Sequence, residues 1–257
     1  MGIPAAVEVH YLADGPPDAP VLVLSHALGL SMAMWDPQVA RLSQALRIVR
    51  YDHRGHGGSP APAGPYRIEE LGHDLVRLLD HLRLDRVSFC GLSLGGMVGL
   101  WLAANAPARV DRLVVCCAAA RMMRPGDYAA RAELVRAQGI AAIADTAIGR
   151  WFTPAFLAGR PDVITRFKTL LLATPPEGYA ATCEALAAMD LREALPRITA
   201  ATLVLAGEAD QATPPEQSRE MAEEIPGAEL VVIPGAPHMA SVEQPDAVCA
   251  RIIDHLR

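Results

Sequence analysis

A serine flanked by glycines is the residue of this chain best suited to chemistry. Residues 91–95 have the sequence Gly-Leu-Ser-Leu-Gly. They follow an apolar run, 86–90, that predicts a buried strand, and they precede an apolar run, 96–104, that predicts a helix. A Gly-x-Ser-x-Gly motif between a strand and a helix is typical of a nucleophile elbow, a tight turn with a strained serine at its apex. The pattern predicts that Ser93 is a nucleophile, although a plain glycine-rich turn could carry the same residues.

A serine hydroxyl is a weak nucleophile at neutral pH, so it needs a histidine base and a carboxylate that orients the histidine. Reacting groups on a parallel sheet collect where the strands end. Asp210 follows the apolar run 203–206, and His238 follows the run 230–233. Glu208 is the alternative acid but lies nearer the strand end, and Asp210 could also be a turn residue before a helix. We predict that Asp210 and His238 complete a triad with the serine.

Acyl transfer also needs hydrogen-bond donors for the oxyanion that forms on the attacked carbonyl. Leu94 opens the predicted helix, so its backbone N–H faces developing negative charge. The loop 26–29 follows an early strand, and we expect the N–H of Leu28 to be the second donor. We expect His26 in the same loop to brace it rather than act as the base, since the order of elements already assigns that role to His238.

The apolar runs alternate with helical spacings, which predicts an α/β fold with a mostly parallel central sheet flanked by helices. Strands are predicted at 7–11, 21–25, 48–51, 86–90, 113–117, 202–206 and 230–233. Helices are predicted at 34–46, 68–82, 96–104, 215–225 and 247–256. The carboxyl ends of these strands would bring the candidate residues to one edge of the sheet.

The alternation stops near Arg121, and residues 121–196 show helical patterns with no convincing strand. A segment of this length is too long and too regular to be a loop. We therefore predict a helical cap at 121–196, inserted into a core domain formed by 1–120 and 197–257.

The composition argues against several classes of protein. With 257 residues, 51% of them hydrophobic, the chain can bury one sizeable core. Its net charge of −6 argues against a nucleic-acid partner, and no apolar run is long enough to predict a membrane span. The five cysteines show no zinc-ligand spacing, so we expect reduced core thiols and no metal site. Residues 1–4 lack a secretory pattern, which favours a cytoplasmic protein.

The chain resembles the α/β-hydrolase superfamily along its whole length. The matching segments are 26–29, 52–59, 91–96 and 207–210, together with His238, and the chain order Ser93, Asp210, His238 is that of the superfamily. A narrower resemblance is to 3-oxoadipate enol-lactonases of the bacterial β-ketoadipate pathway. It rests on residues 34–38, 91–99, 150–154, 173–179 and 189–192.

The narrower resemblance implies a serine hydrolase that opens a small five-membered enol-lactone through an acyl-enzyme, without a metal or organic cofactor. The acetate arm of that substrate needs a cation, and Arg121 and Arg150 are the candidates, unless they are solvated or paired with acids such as Asp145. Trp151 is a candidate for an apolar wall of the substrate pocket, although such residues also serve as core. Phe152, Met122 and Met123 are further candidates for that wall.

Two other functions remain open from the sequence. A broad-specificity small-ester carboxylesterase could use the same triad, and it would hydrolyse neutral p-nitrophenyl esters well. A ligand-sensing relative would instead stall after about one turnover. In each case we expect a small-molecule ligand, no nucleic acid, no membrane, and a monomer or a small homo-oligomer.

Overall fold

A seven-stranded sheet forms the centre of the computed structural model, which describes residues 7–257. The strand order is β1-β3-β2-β4-β5-β6-β7. Only β1 pairs antiparallel, and the other neighbouring strands in this part of the chain are parallel. The strands are β1 (Tyr11–Asp14), β2 (Val21–Ser25), β3 (Arg47–Tyr51), β4 (Val87–Leu92), β5 (Val110–Cys116), β6 (Ala201–Gly207) and β7 (Glu229–Ile233).

Strand β4 lies in the middle of the sheet, between β2 and β5. Its residues are nearly all buried, as in a parallel sheet that is covered by helices on both faces. The register pairs Gly91 with Ser25 on one side and Leu92 with Cys116 on the other. Since Ser93 follows β4 directly, the serine emerges at the carboxyl edge of the central strand.

Eleven α-helices lie between and around these strands in the described part of the chain. They are α1 (Asp36–Leu42), α2 (Ile68–His81), α3 (Leu94–Asn105), α4 (Pro125–Gln138), α5 (Ala141–Trp151), α6 (Pro154–Gly159), α7 (Pro161–Leu172), α8 (Pro176–Ala188), α9 (Pro215–Glu224), α10 (Ala240–Glu243) and α11 (Pro245–Leu256). Helices α4–α8 come between β5 and β6, and α4 packs against α8. An antiparallel bridge between Arg121 and Asp190 joins the chain where it enters and leaves this helical segment. We propose that residues 121–196 form the cap.

Two of the predicted elements are wrong at their boundaries. The strand predicted at 7–11 begins only at Tyr11 and ends at Asp14. The carbonyl of His10 still accepts the N–H of Asp52 (2.9 Å), which directly follows β3, but the N–H of His10 donates to Ser59 Oγ (2.8 Å) and not to β3. The helix predicted at 34–46 is a 3-10 turn (Met32–Trp35) followed by the short helix α1. Pro37 lies in the first turn of α1, where a missing N–H is tolerated.

The remaining predicted strands and helices are present, with ends that differ from the prediction by no more than three residues. Between residues 7 and 257, every helix is too short or too polar to traverse a bilayer. Residues 1–4, on which the expectation about a secretory signal rests, lie outside the described residues.

Candidate active site

Ser93 occupies a strained backbone conformation between β4 and α3, with φ +55° and ψ −117°. Residues other than glycine rarely adopt a positive φ, and such strain concentrates at functional sites. The strain is held in place from both sides: the Ser93 N–H donates to the carbonyl of Cys116 on β5 (2.9 Å), and its carbonyl accepts from Met97 of α3 (3.0 Å). The neighbouring strand and helix therefore fix the serine at the apex of the turn.

The glycines around Ser93 are required by close backbone approach. A Cβ on Gly91 would overlap the carbonyl group of Gly95, and a Cβ on Gly95 would overlap the carbonyl of Ser25 on β2. The turn can fold back against its own strand only because both positions lack a side chain. This packing explains the spacing of glycines on which the sequence prediction rested.

His238 and Asp210 are hydrogen-bonded at the carboxyl edge of the sheet, with 2.8 Å between Nδ1 and Oδ2. Both side chains are buried. The other carboxylate oxygen accepts the backbone N–H groups of Ala212 (2.8 Å) and Thr213 (2.9 Å). Burial alone would raise the pKa of Asp210, but the nearby His238 and these hydrogen bonds outweigh it and lower that pKa. An ionised Asp210 holds the proton on Nδ1 and leaves Nε2 free to accept one.

Thr213 is a side chain of the candidate site that the sequence analysis missed. Its hydroxyl donates to Asp210 Oδ2 (2.9 Å) and lies 3.3 Å from His238 Nδ1. Its only sequence signal is a hydroxyl residue three positions after the candidate acid. The alternative acid, Glu208, is exposed and accepts the N–H of Gly235 instead (2.8 Å), so the structure brings Asp210 and not Glu208 to the histidine.

A cavity of about 660 Å³ between the core and the cap contains both Ser93 and His238 at its wall. Its volume suits a small organic molecule. The cap contributes residues of α4 and α5, and it also contributes Tyr179 of α8. Since Ser93 is only 9% exposed, a substrate would reach it through this cavity.

The two predicted oxyanion donors, Leu94 and Leu28, are close to the candidate nucleophile in different ways: Leu94 follows Ser93 in the chain, and Leu28 lines the same cavity as Ser93. Leu94 is the first residue of α3. Neither backbone N–H donates to another group among residues 7–257. The Leu94 N–H is also at the positive end of the α3 dipole, which favours a negative charge. Both groups are therefore available to an oxyanion.

Buried histidines hold the loop that carries Leu28. His26 Nδ1 donates to the carbonyl of Ala27 (2.8 Å), and its Nε2 accepts the N–H of His53 (2.9 Å). His56 Nε2 accepts the N–H of Gly29 (3.0 Å). Burial lowers the pKa of all three imidazoles, in His56 to about 3, so they are neutral at neutral pH. His26 has the bracing contacts expected of it.

The predicted cap residues do not all reach the cavity. Arg150 and Trp151 line it, as do Met122 and Met123. Arg121 lines a separate groove between the cap and α9, where its backbone carbonyl accepts from the side chain of Gln217 (2.9 Å).

Phe152 does not line the cavity either. Its ring stacks with Phe156 at 5.4 Å between centroids and meets Phe167 edge-on at 5.5 Å, so it serves as cap core. The expected partner Asp145 pairs with Lys168, not with an arginine at the cavity.

Arg131 on α4 is a charged residue of the cavity that the sequence analysis did not single out. It is half-buried, its guanidinium lies 4.8 Å from the ring centre of Tyr128, and Tyr179 lines the same cavity. It forms no ion pair with any carboxylate of residues 7–257. A guanidinium keeps its charge when buried. Arg124 and Arg150 also line the cavity without an ion pair among residues 7–257, but both are exposed, so Arg131 is the half-buried cation of the cavity that has no acidic partner in the described part of the chain.

The described residues contain no cluster of three or more His, Cys, Asp or Glu arranged to hold a metal ion. All five cysteines are buried free thiols.

A mostly parallel sheet, a strained serine after its central strand and an Asp–His pair on the loops after later strands together define a hydrolase of the α/β class. A family profile described as alpha/beta hydrolase fold matches residues 20–245. The chain therefore belongs to the α/β-hydrolase family, and the expected fold and enzyme class are confirmed.

Three proteins within this family illustrate what the chain is similar to. The chain is 42% identical to 3-oxoadipate enol-lactonase 2 of Acinetobacter baylyi, over 94% of this chain and 90% of that protein. The crystal structure of the enol-lactonase from Burkholderia xenovorans LB400 superposes with a TM-score of 0.95 at 43% identity, covering 97% of this chain and 96% of that one. A thermophilic esterase from Thermogutta terrifontis matches with a TM-score of 0.92 at 33% identity, covering 100% and 96%.

Proposed function

We propose that this chain hydrolyses a small lactone that carries a carboxylate, and that it opens 3-oxoadipate enol-lactone to 3-oxoadipate. The observation that carries the proposal is the half-buried Arg131, which has no acidic partner among residues 7–257 and lines the same cavity as Ser93 and His238. A substrate carboxylate would supply the missing partner. The similarity to two named enol-lactonases of Acinetobacter baylyi and to the enol-lactonase structure supports the same substrate.

In the first half of the reaction, His238 Nε2 takes the proton of the Ser93 hydroxyl as its Oγ attacks the lactone carbonyl carbon. The N–H groups of Leu28 and Leu94 receive the oxyanion of the tetrahedral intermediate. The ring C–O bond then breaks, and the enolate oxygen leaves with a proton from His238. The resulting enol tautomerises to the ketone of 3-oxoadipate, with the proton passing from oxygen to carbon. The leaving group stays tethered to the acyl chain, so no fragment departs.

In the second half, His238 takes a proton from a water molecule that attacks the acyl-enzyme carbonyl. Collapse of the second intermediate returns the proton to the Ser93 oxygen and frees the new carboxylate of the product. Asp210 stabilises the imidazolium that forms in each half, and it keeps the Nδ1 proton in place through the 2.8 Å hydrogen bond.

In the bound substrate, the acetate carboxylate would lie against Arg131, with Tyr128 and Tyr179 beside the guanidinium. Arg150 lines the same cavity but is exposed, so solvent would weaken its attraction for an anion. Arg131 is therefore the stronger candidate for the carboxylate, and Arg150 the weaker one. Met122 and Trp151 supply the apolar wall for the ring.

A small-ester carboxylesterase is the second candidate. The same apolar wall could take an uncharged acyl chain, and the esterase from Thermogutta terrifontis is a related fold at 33% identity. The test is a comparison of kcat/KM for the enol-lactone and for p-nitrophenyl butyrate under multiple turnover. The proposal expects the lactone to be preferred by at least about a hundredfold, the scale of one buried ion pair. Equal values, or a preference for the neutral ester, would reject it in favour of the esterase.

We further propose that the enzyme acts in the β-ketoadipate pathway of aromatic catabolism, in the cytoplasm, as a monomer or a small homo-oligomer. Five buried free thiols are consistent with a reducing compartment.

A further inference from the structure

The loop that carries Leu28 is hydrogen-bonded to the cap as well as to the core. Thr174 lies in the turn between α7 and α8 and is 3% exposed. Its hydroxyl donates to the carbonyl of Gly29 (3.0 Å) and lies 3.4 Å from the carbonyl of Leu170. One hydroxyl proton serves one acceptor well, and the shorter distance favours Gly29.

This contact completes a set of restraints on both sides of Leu28. On the N-terminal side of Leu28, the carbonyl of Ala27 belongs to the same peptide group as the Leu28 N–H. His26 Nδ1 donates to that carbonyl (2.8 Å). Because the peptide group is planar, fixing the carbonyl also fixes the direction of the N–H. On the C-terminal side of Leu28, His56 binds the N–H of Gly29 and Thr174 binds the carbonyl of Gly29.

The cap also packs directly against this loop. Gly29 has φ +75°, and a Cβ there would lie 2.7 Å from Leu171 Cδ1 and 2.8 Å from Tyr179 Cε2. The loop therefore fits under the α7–α8 turn only with glycine at this position. Gly29 has no side chain, so its polar contacts in this loop are the backbone hydrogen bonds to His56 and Thr174.

We propose that Thr174 is a positioning residue for the reaction, which orients the oxyanion donor Leu28 from the cap. The inference rests on the proposed role of the Leu28 N–H. An oxyanion hole works because its donors are already oriented before charge develops, so a small misorientation costs rate and leaves ground-state binding unchanged. The cap then contributes to the chemical step in addition to enclosing the substrate.

The test is Thr174→Val, which removes the hydroxyl with little change in shape, assayed on the neutral ester p-nitrophenyl acetate. We expect kcat to fall roughly tenfold with KM within about twofold, and a trifluoromethyl ketone that forms a tetrahedral adduct to bind roughly tenfold more weakly. Thr174→Ser, which keeps the hydroxyl, should restore kcat to within about twofold of the parent. Rates are divided by the active fraction from burst titration, and Thr174→Ala replaces Thr174→Val if the latter does not fold.

Thr182→Val is the matched control. Thr182 is buried in α8, and its hydroxyl donates to a carbonyl of the same helix, that of Gly178 (2.8 Å). This variant loses the same group from the cap without losing a bond to the Leu28 loop, so its kcat should stay within about twofold of the parent.

The proposal is overturned if Thr174→Val keeps kcat within twofold, if its loss appears in KM alone, if Thr174→Ser is as slow as Thr174→Val, or if Thr182→Val is equally slow. The neutral ester separates this result from the proposed substrate, since failure to open the enol-lactone would reject that substrate and leave the Thr174 comparison valid. Activity in Ser93→Ala would instead reject the proposed nucleophile.

Discussion

Met239 donates its backbone N–H to the carbonyl of Trp151 at 3.0 Å. Met239 follows His238 in the chain, and Trp151 ends the cap helix α5 and lines the cavity. Two residues further on, the N–H of Thr153 donates to the carboxylate of Glu243 in α10 (3.1 Å). These two hydrogen bonds therefore join the loop that carries His238, the candidate base, to the part of the cap that lines the cavity.

Ser93→Ala tests the nucleophile. Without the hydroxyl no acyl-enzyme can form, so we expect hydrolysis of both the enol-lactone and p-nitrophenyl butyrate to fall below about a thousandth of the parent rate. The measurement is steady-state kcat on each substrate with enzyme that retains the parent melting temperature. Residual activity above that level on either substrate would contradict the mechanism.

Asp210→Asn tests the acid, with Glu208→Gln as its control. The amide can still contact His238, but it no longer selects the productive tautomer or stabilises the imidazolium. We therefore expect kcat to fall by about 10³–10⁴. Glu208 is exposed and binds Gly235, so Glu208→Gln should keep kcat within about twofold. If the two variants exchange these effects, the assignment of the acid is wrong.

Arg131→Met tests the carboxylate site. Removing the guanidinium should raise KM for the anionic lactone by roughly 10–100-fold, the scale of a charge-assisted hydrogen bond, because the substrate carboxylate loses its partner. KM for p-nitrophenyl butyrate should change by less than about threefold, since a neutral ester has no carboxylate. Steady-state kinetics on both substrates provide the measurement.

Arg121→Ala and Arg150→Ala are the comparison variants for this site. Arg121 lies in the separate groove, so we expect no change in KM for the lactone. The exposed Arg150 should change it by less than about fivefold, as for a solvent-screened charge. If KM for the lactone rises more in the Arg121 or Arg150 variant than in the Arg131 variant, the assignment of the carboxylate site to Arg131 is wrong.

Acid should destabilise the fold through the buried histidines. Burial lowers the pKa of His26, His53 and His56 in the folded chain, and repulsion from a protonated His26 lowers the pKa of the other two further. In the unfolded chain each takes up a proton as the pH falls through about 6.5. Their contribution to stability is therefore fully present above that pH and is lost as the pH falls below it, for His56 down to about 3.

Urea unfolding at several pH values between 7.5 and 5 measures the free energy of unfolding. Each imidazole can lower that free energy by up to about 1.4 kcal/mol for each unit by which the pH falls. His56→Gln keeps an acceptor for the Gly29 N–H but removes one titrating group. Its free energy of unfolding should fall less steeply with acid than that of the parent. An unchanged slope would show that His56 is not neutral in the fold.

Most of the fold and the candidate triad follow from local sequence. Strand β2 ends where its apolar run ends, because a strand covered on both faces is a continuous apolar run. The prediction for α2 differs from the structure by one residue only, because burial of one helix face imposes the helical period on the sequence. Ser93, Asp210 and His238 could be found because each follows a recognisable strand. The parallel topology then brings the ends of those strands to one edge.

The residues that line the cavity could not all be predicted from the sequence, because they depend on which faces of distant helices meet. Helix α4 buries only Ala132 and Val135, so its pattern does not show that Arg131 faces the cavity. Thr213 and Thr174 act through hydrogen bonds, and hydroxyl residues are equally common in ordinary turns.

The sequence by itself determined the α/β fold, the strained serine and the order of the candidate triad, because these depend on local periodicity and on motifs within a few residues. Tertiary structure alone decided that Arg131 and not Arg121 reaches the cavity, and that Thr174 reaches the loop of Leu28. Those contacts join segments of the chain that are far apart in sequence. Their geometry is set by the packing of the cap on the core.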